Sequence, residues 1–156
     1  MLSCEVLFCD SPSFNSCNDI KFVDDNIKYE QVTKALTYIS EVRKENYHGL
    51  FSQYDFSGKE VSVFSDSIVL SYPKETAGSL FYILIDLVYI CLELNVKGIF
   101  VRGGVTYGKL YHKDHICFGP AMIKAYELEQ KHAIYPRIIV DEIAIVKGIE
   151  FHGSAN

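Results

Sequence analysis

The sequence predicts an α+β domain, in which one sheet is covered by helices. Short apolar runs with strand-like spacing alternate with longer runs at helical spacing. Clusters of Gly, Pro, Asn and Ser separate these runs. The chain has 156 residues, of which 49% are hydrophobic and 22% charged, and this is enough for one globular core. The chain contains no evident linker or repeat, so we expect residues 1–156 to form a single domain with its core at about 5–140.

The first half of the chain contains a strand, a helix and a hairpin. Residues 5–9, EVLFC, form a short apolar strand, and a loop rich in hydroxyl groups follows it. Residues 28–44 place apolar side chains at helical spacing on one face, which predicts a helix. Residues 59–73 read KEVSVFSDSIVLSYP, two strand-like runs around a polar tip that contains Asp66. This pattern predicts a tight β-hairpin.

The second half adds two helices and more strands. A helix is expected from residue 76 or 77 to about 94; it is apolar nearly all round, so other elements should cover it. Its most apolar part, residues 80–92, is too short for a membrane span and contains Asp86, which favours a core helix. Residues 98–107 and 115–118 are strand-like on either side of a turn at 108–114.

A third helix is expected at residues 120–132, with Pro120 in its first turn, where proline fits. A final strand follows at 137–140, and the tail after residue 141 is left open between strand and helix. The first six elements run β-α-β-β-α-β, which is the split βαβ or ferredoxin-like arrangement. We therefore predict an antiparallel ferredoxin-like core with an extra C-terminal helix and strand. The first and third strands should be neighbours, and the first two helices should share one face.

Charge and cysteine content exclude several classes of protein. The net charge is −5 and no basic run occurs, which disfavours nucleic-acid binding; the aromatic pattern of a ferredoxin-like RNA-binding module is also absent. The five cysteines form no C-x-x-C pair, so reduced thiols in the cytosol are expected. Glu5 and Asp10 would interrupt the apolar region of a signal peptide. We expect a cytoplasmic protein that binds neither membrane nor nucleic acid.

Two carboxylates stand at strand ends that this topology makes neighbours. Asp10 follows the first strand and Asp66 lies in the hairpin turn. Close carboxylates repel each other unless a cation lies between them, and Mg²⁺ prefers carboxylates together with substrate phosphates. Two such ions can assist phosphoryl transfer. The N–H groups of Ser13 and Phe14 and the hydroxyls of Ser11 and Ser13 could cradle a phosphate. Taken singly, each aspartate is better explained as a cap or turn residue; the two together, at neighbouring strand ends, support a shared site as well as they support that explanation.

Four motifs carry a resemblance to a known family. Residues 8–14, FCDSPSF, resemble the F-x-D-x-x-[GS]-F motif of class III nucleotidyl cyclase catalytic domains, and FSDS at 64–67 stands where these enzymes place a second metal aspartate. RGGVTYG at 102–108 resembles their central strand, and FGPA at 118–121 the start of a helix. The resemblance covers about residues 5–140. Within that family, the chain is most similar to bacterial pyrimidine cyclases of Pycsar antiphage systems, and the similarity lies in FSDSIVLSYP, RGGVTYGKLYH, FGPAMIKAYELE and YPRIIVD.

This resemblance implies an activity and partners. It implies conversion of UTP or CTP, with UTP favoured, into a 3′,5′-cyclic monophosphate and pyrophosphate. It implies two Mg²⁺ or Mn²⁺ ions per site, with Asp10, Asp66 and Ser11 as metal ligands. It further implies a homodimer with composite sites at the interface, and a separate effector protein that senses the cyclic nucleotide as a second messenger.

The chain departs from the purine cyclases at three positions. Their third-helix Asn and Arg align with Ile123 and Glu127, and their purine-selecting residue aligns near Ser62. The missing set disfavours ATP and GTP and leaves the cation that stabilises the transition state unassigned. A non-catalytic cyclase-like domain for dimerisation or nucleotide sensing is therefore the alternative.

Further site candidates follow from side-chain chemistry. Arg102 lies in an otherwise apolar strand and needs an anionic partner, either the nucleotide or a salt bridge to Glu127 or Asp86. Glu127 is expected to accept from Arg102 and orient it. Tyr126 could stack on a pyrimidine or belong to the core. Tyr54, with its neighbour Phe56, could wall the base pocket. Three histidines are assigned surface or structural roles: His112, His115 and His132.

Overall fold

The computed structural model describes residues 2–9, 29–30, 33–34, 37, 58–64, 67–74, 78–96, 98–114 and 116–153. The helical residues Tyr29, Glu30, Thr33, Lys34 and Thr37 belong to the first predicted helix and are called α1; the rest of that prediction lies outside the described residues. The other elements are, in chain order, β1 (Leu2–Cys9), β2 (Glu60–Phe64), β3 (Ser67–Pro73), α2 (Ser79–Val96), β4 (Val101–Gly108), β5 (Tyr111–Lys113), β6 (Ile116–Phe118), α3 (Pro120–His132), β7 (Ile138–Val140) and α4 (Glu142–Gly153).

The main sheet has the strand order β2-β3-β1-β4-β7, which confirms the predicted ferredoxin-like core. The central strand β1 is antiparallel to both β3 and β4. The sheet is mixed rather than purely antiparallel, because β7 pairs in parallel with β4. Helix α3 carries the chain from one end of the sheet back to the other, and such a crossover is what parallel pairing requires. Strands β5 and β6 form a separate two-stranded sheet: β6 is the strand predicted at 115–118, and β5 lies within the predicted turn at 108–114.

Helix α3 packs against one face of the sheet, which we call the α3 face. Small residues let the helix approach closely: Gly104 of β4 lies under the backbone of Ala125, and Gly108 lies under Ala121. Ala121 and Ala125 are four positions apart and so share one side of the helix. Together with Val69 and Leu110 they form a small buried cluster. Pro120 stands at the start of α3 as predicted.

Helices α2 and α4 cover the opposite face of the sheet, which we call the α2 face. Alternate residues of β3 point to this face, as the period of two in a strand requires, and Ile68, Leu70 and Tyr72 are buried there with Leu87 and Ile90 of α2. The tail that the sequence left open is α4. It packs against α2, where Gly148 lies directly against Leu80.

The prediction that other elements cover α2 on all sides is wrong for the part of the chain that the structure describes. One side of α2 is buried, whereas its other side exposes apolar residues: Phe81, Val88, Tyr89, Leu92 and Val96. The helix is 18 residues long with a hydropathy of 1.8, sufficient by length and composition alone for a membrane span, and 39% of it is buried inside the domain. Its Asp86 is buried and pairs within the domain, which favours the predicted core helix.

Candidate functional site

The register of three strands defines one end of the sheet. Phe8 of β1 is the partner of Ser67 at the start of β3 and of Arg102 near the start of β4. Partner residues in antiparallel strands have Cα atoms about 4.5–5.5 Å apart. The last residues of β1 and the first residues of β3 and β4 therefore meet at one end. We call this end, defined by Phe8, Ser67 and Arg102, the candidate edge.

Both aspartates among the predicted metal ligands directly adjoin the strand residues of the candidate edge in the chain. Asp10 follows Cys9, the last residue of β1, and Asp66 precedes Ser67, the first residue of β3. The predicted adjacency of the first and third strands is confirmed, and it is the basis on which these two carboxylates were paired. Asp10 and Asp66 themselves lie outside the described residues, as do the other predicted binding residues of the first half: Ser11, Ser13, Phe14 and Tyr54.

A metal site at the candidate edge therefore stays a prediction. Within the described ranges, no three His, Cys, Asp or Glu side chains are grouped closely enough to hold a metal ion. The chemistry of the predicted ligands fits a hard divalent cation, because carboxylate oxygens are what Mg²⁺ and Mn²⁺ accept.

Arg102 has an anionic partner inside the protein. Its Nη2 lies 2.8 Å from Oε1 of Glu129, whose side chain is only 1% exposed. Its Nη1 donates to the backbone oxygen of Ala133, just beyond α3, at 3.3 Å. The Arg102 side chain keeps 22% of its surface exposed. Arg102 thus forms a salt bridge, which was the alternative to substrate binding, but its partner is Glu129 and not Glu127 or Asp86.

The expectation that Glu127 accepts from Arg102 is wrong. Glu129 shares the sheet-facing side of α3 with Ala125, four positions earlier, whereas Glu127 is rotated away from that side. Oε1 of Glu127 lies 3.4 Å from Nζ of Lys131, four residues later on the helix surface. Tyr126 also lies on the outer side of α3 and is half-exposed, so it is not the core residue considered as its alternative.

Asp86, the other partner considered for Arg102, belongs to a different network on the α2 face. Its Oδ2 lies 2.7 Å from Nζ of Lys59 and accepts a 2.6 Å hydrogen bond from the hydroxyl of Tyr72. Ser67 and Arg102 are both partners of Phe8, so their side chains lie on the same face of the sheet. Ile68, the residue after Ser67, faces α2, and Ser67 and Arg102 therefore point to the α3 face. The sheet separates the two buried ion pairs.

Ser62, which aligns near the purine-selecting position of purine cyclases, is engaged inside the protein. It is buried, and its hydroxyl is 2.8 Å from Nε2 of His112 on β5. Nδ1 of the same imidazole is 2.8 Å from the hydroxyl of Ser71 on β3. His112 therefore has a structural role, in line with its assignment. It joins the small β5–β6 sheet to strands β2 and β3.

A groove on the α2 face reaches the start of β4 at Val101, the residue before Arg102, on the side of the sheet opposite to the Arg102 side chain. It has a volume of about 790 Å³ and lies between α2 and β7, with Leu84, Cys91, Phe100 and Ile138 among its lining residues. No Asp or Glu is among the lining residues, so the groove does not supply ligands for a hard cation. Burial raises the pKa of the Cys91 thiol, which disfavours a reactive thiolate there.

The strand order, the crossover by α3 and the placement of two helices opposite it form an α+β fold that resembles that of a solved adenylyl cyclase. A similar solved structure is the crystal structure of the adenylyl cyclase CyaB from P. aeruginosa, with a TM-score of 0.55. The similarity covers 96% of this chain and 82% of that chain at 13% sequence identity, so it concerns the fold. No family model and no curated protein matches the sequence.

Proposed function

We propose that this chain is a metal-dependent pyrimidine nucleotidyl cyclase, which converts UTP, or else CTP, into the 3′,5′-cyclic monophosphate and pyrophosphate. The observation that carries the proposal is the register of β1 with β3, which brings the neighbours of Asp10 and Asp66 to one edge of a cyclase fold. Two carboxylates at such an edge would hold a pair of Mg²⁺ or Mn²⁺ ions between them.

The proposed reaction is an in-line displacement at the α-phosphorus. The ribose 3′-oxygen forms a bond to the α-phosphorus and gives its proton to solvent water, while the bond from that phosphorus to the bridging oxygen breaks and pyrophosphate leaves. When bound, the metal ions would lower the pKa of the 3′-hydroxyl and offset the charge of the triphosphate. The protein's part is to hold the ions through Asp10, Asp66 and Ser11 and to orient the triphosphate in the loop of Ser13 and Phe14. No covalent intermediate is required, because positioning and charge stabilisation supply the rate.

Three positions support a pyrimidine over a purine substrate. Ser62 is buried and its hydroxyl is occupied by His112, so it is not presented to a base. Ile123 is exposed on α3, and Glu127 is acidic and lies near Lys131, so neither supplies the amide or cation that purine cyclases carry at these positions. A smaller base would need a different set of contacts. Tyr126, half-exposed on α3, and Tyr54 are the proposed aromatic contacts.

A homodimer with composite sites is part of the proposal. An exposed apolar surface on the α3 face supports it. Tyr111 and Phe118 stack across the β5–β6 sheet with ring centroids 5.1 Å apart, and Ile116 and Ile123 are exposed as well. A second copy would remove this surface from water. We further propose a cytoplasmic location, and a role as second-messenger synthase in antiphage defence that acts through a separate effector protein.

A product assay tests the proposed activity. The protein is incubated with each of the four nucleoside triphosphates and Mn²⁺, and the cyclic monophosphates are measured by mass spectrometry. Cyclic UMP or cyclic CMP with an equal amount of pyrophosphate is the expected result. Cyclic AMP or cyclic GMP as the main product would contradict the pyrimidine assignment and leave the cyclase assignment in place.

The alternative is a non-catalytic domain for dimerisation or nucleotide sensing. The absence of the Asn and Arg pair from α3 favours it, since Ile123 and Glu127 stand at those positions. Absence of turnover with all four triphosphates, together with a measurable nucleotide affinity in calorimetry, would favour this alternative over the cyclase.

A further inference from the structure

The ion pair between Arg102 and Glu129 stands at the candidate edge. Arg102 is in the same cross-strand row as Phe8 and Ser67, next to the positions that carry Asp10 and Asp66. Glu129 reaches this row from the last turn of α3 and is fully buried. A buried ion pair adds little net stability, because apolar residues of similar volume often stabilise a protein equally well. Packing alone therefore gives no reason for a charged pair at this place.

The pair fixes the direction of the guanidinium. Oε1 of Glu129 lies 2.8 Å from one terminal nitrogen in an ion pair, and the backbone oxygen of Ala133 accepts a hydrogen bond from the other terminal nitrogen at 3.3 Å. A carboxylate in the last turn of α3 and a carbonyl just beyond the helix thus hold this rigid group in position. The Arg102 side chain still has 22% of its surface exposed. An arginine whose side chain is held in place and partly exposed is well suited to phosphate oxygens, because its planar donors match their geometry.

We propose that Glu129 is a positioning residue, which holds the Arg102 guanidinium at the candidate edge for contact with the phosphate oxygens of the nucleotide. This inference rests on the proposed function and adds to it a residue that acts through Arg102. It also makes Arg102 on β4 the cation that contacts the triphosphate. Purine cyclases carry such a cation on the third helix, at the position that Glu127 occupies here. The competing account is that the pair only fastens α3 to β4.

Substitutions at both members of the pair separate these two accounts. Glu129→Gln keeps the shape of the side chain but removes the charge that orients Arg102. Arg102→Lys keeps a positive charge but removes the planar donors. We expect each variant to raise the KM for the preferred triphosphate, and the inhibition constant for pyrophosphate, about 10- to 100-fold, as misplacement of a binding group by about 1 Å does. The melting temperature of each variant is measured alongside.

Tyr72→Phe is the matched control. It removes a 2.6 Å hydrogen bond from the buried ion pair on the α2 face without leaving a charge unpaired. It should lower the melting temperature and leave KM and pyrophosphate inhibition at the wild-type values. If Glu129→Gln and Arg102→Lys likewise lower only the melting temperature and leave KM and pyrophosphate inhibition unchanged, the pair only stabilises the packing of α3 on β4, and the inference is wrong. If Glu129→Gln does not fold, the result with Arg102→Lys decides in the same way.

The same variants distinguish failure of this inference from failure of the proposed function. If the wild-type protein makes no cyclic nucleotide, the proposed function fails, and the affinity for pyrophosphate is then measured by calorimetry. If the wild type binds pyrophosphate and Glu129→Gln binds it about 10-fold or more weakly than the wild type, the positioning role is supported, because a misplaced binding group has an effect of this size. Equal binding, or no binding to the wild type, overturns it. If the wild type is active and Glu129→Gln is unchanged in KM and inhibition, only the inference fails.

Discussion

Close packing of α3 on β4 makes Gly104 a sensitive position. A Cβ atom added there would lie 2.4 Å from the backbone oxygen of Ala125 and 2.7 Å from Cβ of Leu128. Since carbon and carbonyl oxygen normally approach no closer than about 3.3 Å, α3 would have to move by roughly 1 Å. Overpacking of this kind costs about 1–3 kcal/mol, so Gly104→Ala should be destabilised by that amount.

Gly108→Ala is the control for the same helix–strand contact. Its added Cβ would lie 3.2 Å from Cβ of Ala121, which needs a shift of only a few tenths of an ångström. Thermal unfolding followed by circular dichroism compares the two variants. At about 2–4 °C per kcal/mol for a domain of this size, Gly104→Ala should melt about 2–12 °C below the wild type, and Gly108→Ala should melt between them. A Gly104→Ala variant as stable as the wild type, or more stable than Gly108→Ala, would refute the packing described for α3.

Three further predictions concern buried groups. Asp86→Ala leaves the Lys59 ammonium buried without its carboxylate and should lose about 3–5 kcal/mol in urea unfolding; a loss below about 0.5 kcal/mol would contradict the ion pair. His112→Ala deprives two buried serine hydroxyls of the imidazole and should lose at least about 1 kcal/mol in the same assay, whereas unchanged stability would contradict this linkage. The raised pKa of the Cys91 thiol keeps it neutral in the folded protein at pH values where the unfolded chain ionises it. Stability should therefore fall as the pH rises through the unfolded value, and peptide-resolved alkylation of Cys91 at pH 8 should be slower in the folded protein than in guanidinium; equal rates would contradict the shift.

The fold follows from the sequence because its signals are local. Alternating apolar runs, helical spacing and turn residues gave the order of elements, and the order β-α-β-β-α-β restricts the sheet to few topologies. The hairpin around Asp66 and the start of α3 at Pro120 are examples. The parallel pairing of β7 was missed because strand direction depends on how α3 crosses the sheet.

The site was only partly accessible to sequence reasoning. The isolated charge of Arg102 in an apolar strand indicated that an anionic partner was needed, and one is present. The choice between Glu127 and Glu129 depended on which side of α3 faces the sheet, and the positions of Ala121 and Ala125 carried that signal. His112 is 50 residues from Ser62 and 41 residues from Ser71 in the sequence, and no local sequence pattern predicts contacts between residues so far apart.

The most direct test of the account is cyclic nucleotide formation by Asp66→Asn. This variant replaces a predicted metal ligand and keeps the size of the side chain. It is measured at saturating triphosphate and Mn²⁺, with the wild type and with Gly108→Ala as a folded control. We expect the wild type and Gly108→Ala to form a cyclic pyrimidine nucleotide, and we expect Asp66→Asn to form essentially none while remaining folded. Wild-type rates of product formation by Asp66→Asn would contradict the assignment of the candidate edge as the metal site.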